Sequence, residues 1–251
     1  MCANKFSLEG KNVLVICPEN NWGLEIVQGL KAAGCKVFLA GPNKEAMEAM
    51  DAAGIYVYDH CTKAQALAMA AAAKEALGTI DAMVENSLYT EVRGWDQSYA
   101  TIYSQLECTH LGMMLTVQAV GDVMAAQGKG SVIIMTETGA LSGYDIHNYK
   151  DAPEQFDADF SLVKGFIYGG AINYTRQAAG FLGENGCRCN CLVCAPKGGE
   201  EAFTAAYLRH SHLKVPVTGE NIADAVCFLA SDAAAYITGV SLPVDGGYTA
   251  K

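Results

Sequence analysis

No apolar run in this sequence approaches the roughly 18 residues that a membrane-spanning helix needs. The opening stretch, Met1 to Lys11, lacks the apolar core of a secretion signal. Basic residues are also scarce: 17 Lys and Arg stand against 27 Asp and Glu, for a net charge of −10. A surface this acidic repels phosphate backbones and anionic lipid, which sets aside nucleic acid and membrane as partners. No internal repeat, low-complexity tract or linker interrupts the 251 residues, and 51% of them are apolar. One domain of that size buries roughly 70–75% of its unfolded surface. Ten cysteines without an export signal are the pattern of a reducing compartment, so a cytoplasmic location is expected.

Four cysteines crowd one segment: Cys187, Cys189, Cys191 and Cys194. Zinc ribbons pair cysteines two to four residues apart on turns, which this spacing fits poorly. On a strand, 187, 189 and 191 share a face, so small buried thiols are expected and no metal site.

The run Lys11 to Cys17 is apolar and β-branched, helical spacing follows from Gly23 to Ala33, and Gly34 to Ala40 restores a strand. Further strands are expected near 55–58, 80–84, 130–136, 187–194 and 240–244. Helical patterns near 44–53, 63–77, 97–127, 164–183 and 219–231 separate them. Alternation at this rate means a parallel sheet covered on both faces. Right-handed crossovers then give a single-domain α/β fold, a Rossmann-type doubly wound parallel sheet of about seven strands spanning residues 1–251.

The segment from Asn221 to Tyr248, Asn-Ile-Ala-Asp-Ala-Val-Cys-Phe-Leu-Ala-Ser-Asp-Ala-Ala-Ala-Tyr-Ile-Thr-Gly-Val-Ser-Leu-Pro-Val-Asp-Gly-Gly-Tyr, closely resembles the closing helix, loop and last strand of the short-chain dehydrogenase/reductase family. That resemblance implies a dinucleotide on a turn reading Thr-Gly-x-x-x-Gly-x-Gly, where glycines let the backbone approach the pyrophosphate at a helix N-terminus. Here the turn reads Ile16-Cys17-Pro18-Glu19-Asn20-Asn21-Trp22-Gly23. Cys17 replaces the first glycine, Asn21 the second, and Gly23 alone survives. Asn21 tolerates a left-handed backbone, but the Cβ of Cys17 is expected to occupy space the turn needs, and Pro18 removes an amide donor. Glu19 and Glu25 add negative charge where phosphates would sit. Ala40-Gly41-Pro42-Asn43 offers neither an acid for ribose hydroxyls nor an Arg for a 2′-phosphate. Asp59 matches the family's adenine-edge acid, Glu85-Asn86-Ser87-Leu88 replaces Asn-Asn-Ala-Gly, and Cys194-Ala195 replaces Pro-Gly. No cofactor is expected on this chain.

The family's chemistry uses a Ser, a Tyr, a Lys one turn beyond it, and an Asn. Matching Gly130 to Thr138 with the family's strand places Glu137 at the Ser, beside Thr136. Thr109 falls at the Asn, judged from Leu111-Gly112 and Gln118-Ala119-Val120. The Tyr–Lys helix admits two frames. One reads Phe160 to Lys164, keeping the Lys and turning the Tyr into Phe, and requires four extra residues inside the helix. The preferred frame runs without a gap through Gly169, Thr175-Arg176 and Arg188-Cys189-Asn190, placing Lys164 at the Tyr and Tyr168 at the Lys. Neither preserves Tyr-x-x-x-Lys, so no catalytic set is expected. The vestigial positions are Thr109, Glu137, Lys164 and Tyr168. Glu137 and Lys164 either form an ion pair filling the pocket or remain solvated in an open cleft.

Residues 141–160 run to about twice the family's usual length, which marks a lid, a contact surface or a disordered loop. Tyr144, His147 and Tyr149 lie in it as substitute acid–base groups, although a surface loop is the simpler reading. Arg209, His210, His212 and Lys214 form a basic group suited either to a phosphate-bearing ligand such as a CoA thioester or to a solvated helix face. Intact assembly elements beside a dismantled site resemble the altered subunit of the family's heteromeric members. That likeness implies an intact short-chain dehydrogenase paralogue as partner, a heterotetramer, NAD held in the partner, and a hydroxyacyl-CoA substrate such as an aromatic hydroxysuccinyl-CoA. The alternative is an enzyme with altered or cofactor-free chemistry using Lys164, Tyr168 and Glu137.

Overall fold

The computed structural model describes residues 5–58, 62–151, 153, 156, 159–198 and 201–250. Seven parallel strands form one sheet: β1 (Asn12–Ile16), β2 (Lys36–Gly41), β3 (Gly54–Val57), β4 (Ala82–Glu85), β5 (Gly130–Glu137), β6 (Cys187–Cys194) and β7 (Ser241–Val244). Their order is β3-β2-β1-β4-β5-β6-β7, a doubly wound arrangement that reverses direction between β1 and β4. Strands buried on both faces read as continuous apolar runs, and β1, β4 and most of β5 do so.

The helices are α1 (Gly23–Ala32), α2 (Lys44–Ala49), α3 (Lys63–Leu77), α4 (Tyr99–Leu106), α5 (Gly112–Gln127), α6 (Lys164–Gly183), α7 (Glu201–His210) and α8 (Gly219–Ala230). α1 and α8 cover one face of the sheet, where Ile26, Val27, Leu30, Ile222, Val226 and Leu229 meet Val13, Val15, Ile133 and Leu192. α3, α5 and α6 cover the other, packing Met69, Val117, Val120, Ile167 and Ala171 on Leu14, Met83 and Ile134. Local signals agree with these bounds. Thr62 with Gln65 and Thr218 with Asn221 close capping boxes at the starts of α3 and α8, and Gly128 ends α5 in a left-handed conformation.

The helix expected over 97–127 is interrupted by a π turn, Glu107–Leu111, between α4 and α5. β6 carries its thiols as expected. Cys187 and Cys189 belong to the core under α6, Cys191 packs with Ile172 and Val193, and Cys194 faces the opposite side. Burial pushes the Cys191 thiol up to about 12. Among the described residues no group of three His, Cys, Asp or Glu side chains is arranged to hold a metal ion, and no helix is long and apolar enough to cross a membrane.

β7 is an edge strand. The carbonyls of Val240 and Val244 accept from β6, so the alternate residues Ser241 and Pro243 face the open edge, where proline offers no donor.

The surviving glycine of the first turn is irreplaceable sterically. A Cβ on Gly23 would lie 2.2 Å from the Pro18 carbonyl oxygen. Gly23→Ala is expected to cost roughly 2–4 kcal/mol of stability in denaturant unfolding, because backbone rather than a side chain must move. A cost near zero would show that the turn is not packed as described.

Candidate functional site

The carboxyl ends of β1, β4, β5 and β6 converge where the strand order reverses, the place such sheets bind ligands. Cys17 (φ +48°) and Asn21 (φ +42°) both adopt the left-handed backbone that glycine takes freely. The expected clash of Cys17 therefore does not occur. The turn closes in the glycine-like conformation, and Cys17 Sγ lies 3.8 Å from the Tyr58 hydroxyl. Asn86 secures it, donating from Nδ2 to the carbonyls of Cys17 (3.1 Å) and Asn20 (2.8 Å).

What differs is the contents of the crevice. Asn21 reaches across it and donates from Nδ2 to Glu137 Oε1 at 3.0 Å. Trp22 donates from its indole to the Ala195 carbonyl at 3.1 Å. Lys197, just beyond β6, donates to the Asn21 carbonyl at 2.7 Å, pairs with Glu25 at 2.7 Å and lies 5.2 Å over the Trp22 ring. The loop after β6 is thus strapped onto the first turn. The cavity left among Asn21, Trp22, Asn86, Thr136, Glu137 and Cys194 is about 10 Å³, at the lower limit for one water.

The adenosine side is altered too. Glu19 lays its carboxylate on Gly41, with Oε2 3.1 Å from where a Cβ would stand. Glu19 Oε2 is buried without a hydrogen-bond partner, and burial raises the group above the ordinary carboxylate range against backbone donors at Glu19 and Asn43. An acid does therefore stand at the end of β2, delivered from the first turn rather than from the strand. Glu45 and Glu91 line the adjoining cleft. Acidic side chains therefore stand along the cleft where the anionic part of a dinucleotide would lie. Asp59 lies outside the described residues.

At the catalytic positions, α6 runs unbroken from Lys164 to Gly183, so Lys164 and Tyr168 lie on its first turns while Phe160 precedes it. Lys164 opens the helix and Tyr168 follows one turn on, 2% exposed. The Tyr168 hydroxyl donates to Glu137, and burial first, then the Glu137 charge, raises it well above the usual phenol. Burial also raises Glu137, opposed first by the nearby charge of Lys164 and then by Tyr168, Arg93 and Asn21. Of the two alternatives for Glu137 and Lys164, the ion pair does not form: among ion pairs of the described residues within 4.0 Å none joins them. Asn21 and Tyr168 take the carboxylate instead. Thr109 sits in the π turn and turns its hydroxyl back onto the Gln105 carbonyl at 2.7 Å, a partner inside its own helix.

The described residues of the 141–160 segment pack onto the body of the protein. Tyr144, Tyr149 and Phe160 fold over the end of the sheet against Phe203, with ring centroids 5.2–5.8 Å apart along the chain of contacts. Gly94 and Ser161 form an isolated bridge, Gly94 N to Phe160 O being 2.8 Å, which stitches the segment's end to the loop after β4. Between this wall and α6 lies a cavity of about 230 Å³ floored by Glu137 and Tyr168. Tyr144 donates to the Asp159 carbonyl, and His147 points outward, paired with Asp145. Neither is placed as a free acid–base group.

The basic group resolves into local contacts. Lys214 donates to the carbonyls of Leu208 and Arg209 at the end of α7, a cation completing a helix C-terminus, and Arg209 pairs with Asp151. Sequence reasoning missed three participants: Lys197, the Trp22 indole, and Arg93, whose guanidinium donates to Thr90 O while its charge acts on Glu137. Trp22 stands at an unspecified position of the first turn and Lys197 and Arg93 in no motif, so only the fold brings them in.

Comparison with known proteins places these positions in context. The family model described as Enoyl-(Acyl carrier protein) reductase matches residues 18–249. Galactitol 2-dehydrogenase (L-tagatose-forming) of Cereibacter sphaeroides is 28% identical, over 97% of both chains. D-threitol dehydrogenase of Mycolicibacterium smegmatis is 28% identical over 98% of this chain and 95% of its own. An L-rhamnose 1-dehydrogenase (NAD(P)(+)) of Azotobacter vinelandii is 30% identical over 71% of this chain and 68% of its own. Among solved structures, a short-chain type dehydrogenase/reductase from Mycobacterium marinum superposes with a TM-score of 0.85 at 21% identity, covering 100% of both chains. A short-chain dehydrogenase from Leptospira borgpetersenii with bound NAD+ gives 0.82 at 18%, over 98% and 95%.

Three carboxyls at this end of the sheet, Glu19, Glu85 and Glu137, are raised, each chiefly by burial. A raised folded-state value gives stability that is fully present below the unfolded value near 4.5 and is lost as pH climbs through the folded one. Stability is therefore expected to fall from mildly acidic toward alkaline pH. Glu85→Gln, whose Oε1 still accepts from Ser87 N while its Nε2 donates to Thr116 Oγ1 and leaves that hydroxyl to the Met113 carbonyl, is expected to stabilise by roughly 1–3 kcal/mol at pH 8 and to add little at pH 4. Equal effects at both pH values in thermal unfolding would contradict this assignment.

Proposed function

The chain belongs to the short-chain dehydrogenase/reductase family of oxidoreductases, and from that membership we propose that it is the non-catalytic subunit of a hetero-oligomeric dehydrogenase, assembled with an intact NAD-dependent paralogue. The single observation that carries this reading is the hydrogen bond from Asn21 to Glu137. It spans the place of the nicotinamide and joins the residue standing at a phosphate-turn glycine to the one standing at the catalytic Ser. The Lys164–Tyr168 order supports it further, since the buried Tyr168 hydroxyl spends its proton on Glu137 and has none to offer a carbonyl oxygen. A positioned general acid contributes about 10²–10⁴ in rate, and here the acid, its Ser partner and the cofactor site are altered together.

Assembly is supported by what the surface displays. Tyr99 (81% exposed) stacks on Tyr103, and Phe166 (67% exposed) lies on His110, with Leu111 and Met114 exposed beside them. Large apolar groups left in water along α4, α5 and α6 mark a surface kept for contact. The arrangement is a heterotetramer, with NAD bound in the partner. Its substrate class is a hydroxyacyl-CoA, by likeness to the 2-[hydroxy(phenyl)methyl]succinyl-CoA dehydrogenase of anaerobic toluene degradation, which also pairs an intact with an altered subunit. The sugar and polyol substrates named for the relatives need no counterpart in a chain without the chemistry.

One observation favours a rival: Glu137, raised by burial at the floor of a cavity, has the character of a general acid. Its hydrogen bonds to Asn21 and Tyr168 argue for a structural role instead. NADH fluorescence titration of the purified chain is expected to show no saturable binding, and purification from the native source to bring down an intact paralogue. Converting Glu137→Ser, Lys164→Tyr and Tyr168→Lys together is expected to leave the chain inactive, because Trp22 and Lys197 still strap the loop after β6 onto the first turn. Micromolar NADH binding with turnover by the unaltered chain would overturn the reading.

A further inference from the structure

One buried base has no role in the crevice. His110 lies in the π turn Glu107–Leu111, 9% exposed, its ring wedged between that turn and α6. Its Nε2 stands 2.7 Å from where a Cβ on Gly170 would be, so any side chain at 170 would displace the ring. Phe166, itself 67% exposed, lies over it with ring centroids 5.5 Å apart. A π turn set within a helix frequently marks a functional position, and this one delivers an imidazole beneath an exposed apolar face.

The hydrogen bonds fix where its proton sits. Thr109 spends its hydroxyl proton on the Gln105 carbonyl at 2.7 Å, so toward His110 Nδ1, 3.3 Å away, it can only accept. Nδ1 therefore carries the ring proton and Nε2 a bare lone pair, buried without a partner. A second proton on Nε2 would place a charge against the backbone of α6, where burial is costly without a counter-ion.

No counter-ion is at hand. On its own turn Glu107 and Cys108 are both exposed. α4 carries no charged residue, and Asp122, the one in α5, lies about three turns on. On α6, Lys164 has the wrong sign, Tyr168 is turned to Glu137, and burial pushes Tyr174 up to about 12, so it stays neutral. Burial holds His110 below the ordinary histidine value of 6.5, opposed by the Ile167 carbonyl.

We propose that His110 is a pH-sensitive latch between the π turn and α6: uncharged, it is clamped beneath Phe166, and on protonation in mild acid its ring swings out to water and frees the start of α6 together with the face of Phe166, Leu111 and Met114. A base held below its unfolded value gives stability that is fully present above that value, near 6.5, and is lost as pH falls through the folded one. The sign is opposite to that of the buried carboxyls, so substitution at His110 separates the two. The latch is a property of the single chain, and only its effect on assembly rests on the subunit reading.

Hydrogen exchange of the full-length chain at pH 7.5 and 5.5, corrected for intrinsic rates, tests it through the amides of residues 167–171. These are expected to exchange at least about 10-fold faster at pH 5.5, and less than about 2-fold faster in His110→Leu, which cannot take the charge. Gly170→Ala, whose methyl displaces the ring, is expected to lose most of the response as well. No acceleration in the unaltered chain, or an acceleration retained in His110→Leu, overturns the proposal. If His110→Leu does not fold, Gly170→Ala decides by the same comparison. Sedimentation at the same pH values keeps the two readings apart. A chain that is monomeric throughout yet shows the exchange response sinks only the subunit reading, and an oligomer without that response sinks only the latch.

Discussion

The bond between Asn21 and Glu137 is the constraint from which the rest of this crevice follows. Each is a polar side chain set in a place built for something else, the one where a glycine lets phosphate approach, the other where a hydroxyl meets a carbonyl. Buried alone, either would carry the desolvation cost of an unmade hydrogen bond, about 1–3 kcal/mol and more for a charge. Facing each other at 3.0 Å they satisfy one another. Once they touch, the loops that carry them are drawn together, and Trp22 and Lys197 complete the closure from the β6 side. Two residues 116 positions apart in the chain are thus physically coupled.

The backbone beneath this pair has not followed the side chains. Cys17 and Asn21 retain positive φ, at a cost of order 1 kcal/mol each for residues with a Cβ. They keep it because the surroundings dictate it. Gly23 packs on the Pro18 carbonyl, and Asn86 holds both Cys17 and Asn20. The cost is local, and the strands on either side do not register it.

The scaffold was legible from pattern because periodicity, caps and the parallel alternation all agree. The bounds of α3 and α6 coincide with those read from spacing, 63–77 and 164–183. Two elements escaped. α7 carries its signal weakly, with Ala206 and Tyr207 as its buried residues. The π turn at Glu107–Leu111 adds one backbone step without altering the apolar pattern around it. The strand and helix that bear Glu137, Lys164 and Tyr168 were legible from pattern, but the pairing of these side chains was not. An ion pair with Lys164, the nearest opposite charge by register, was one of two alternatives for Glu137, which instead met an amide and a phenol. Nearness in register says which charges share a cleft, and hydrogen-bond reach decides which of them touch. The aromatic wall was illegible for a related reason: Tyr149 and Phe203 have no sequence relation that would announce their contact.

Pro243 at the outer edge of β7 has a consequence beyond its own strand. A parallel sheet whose last strand offers a full row of amides and carbonyls invites another chain to extend it, and such extension has no natural end. With one amide deleted from that row, strand-by-strand growth is blunted, and molecules meeting along this edge must do so through side chains. A single imino acid thereby weighs against open-ended extension of the sheet along this edge.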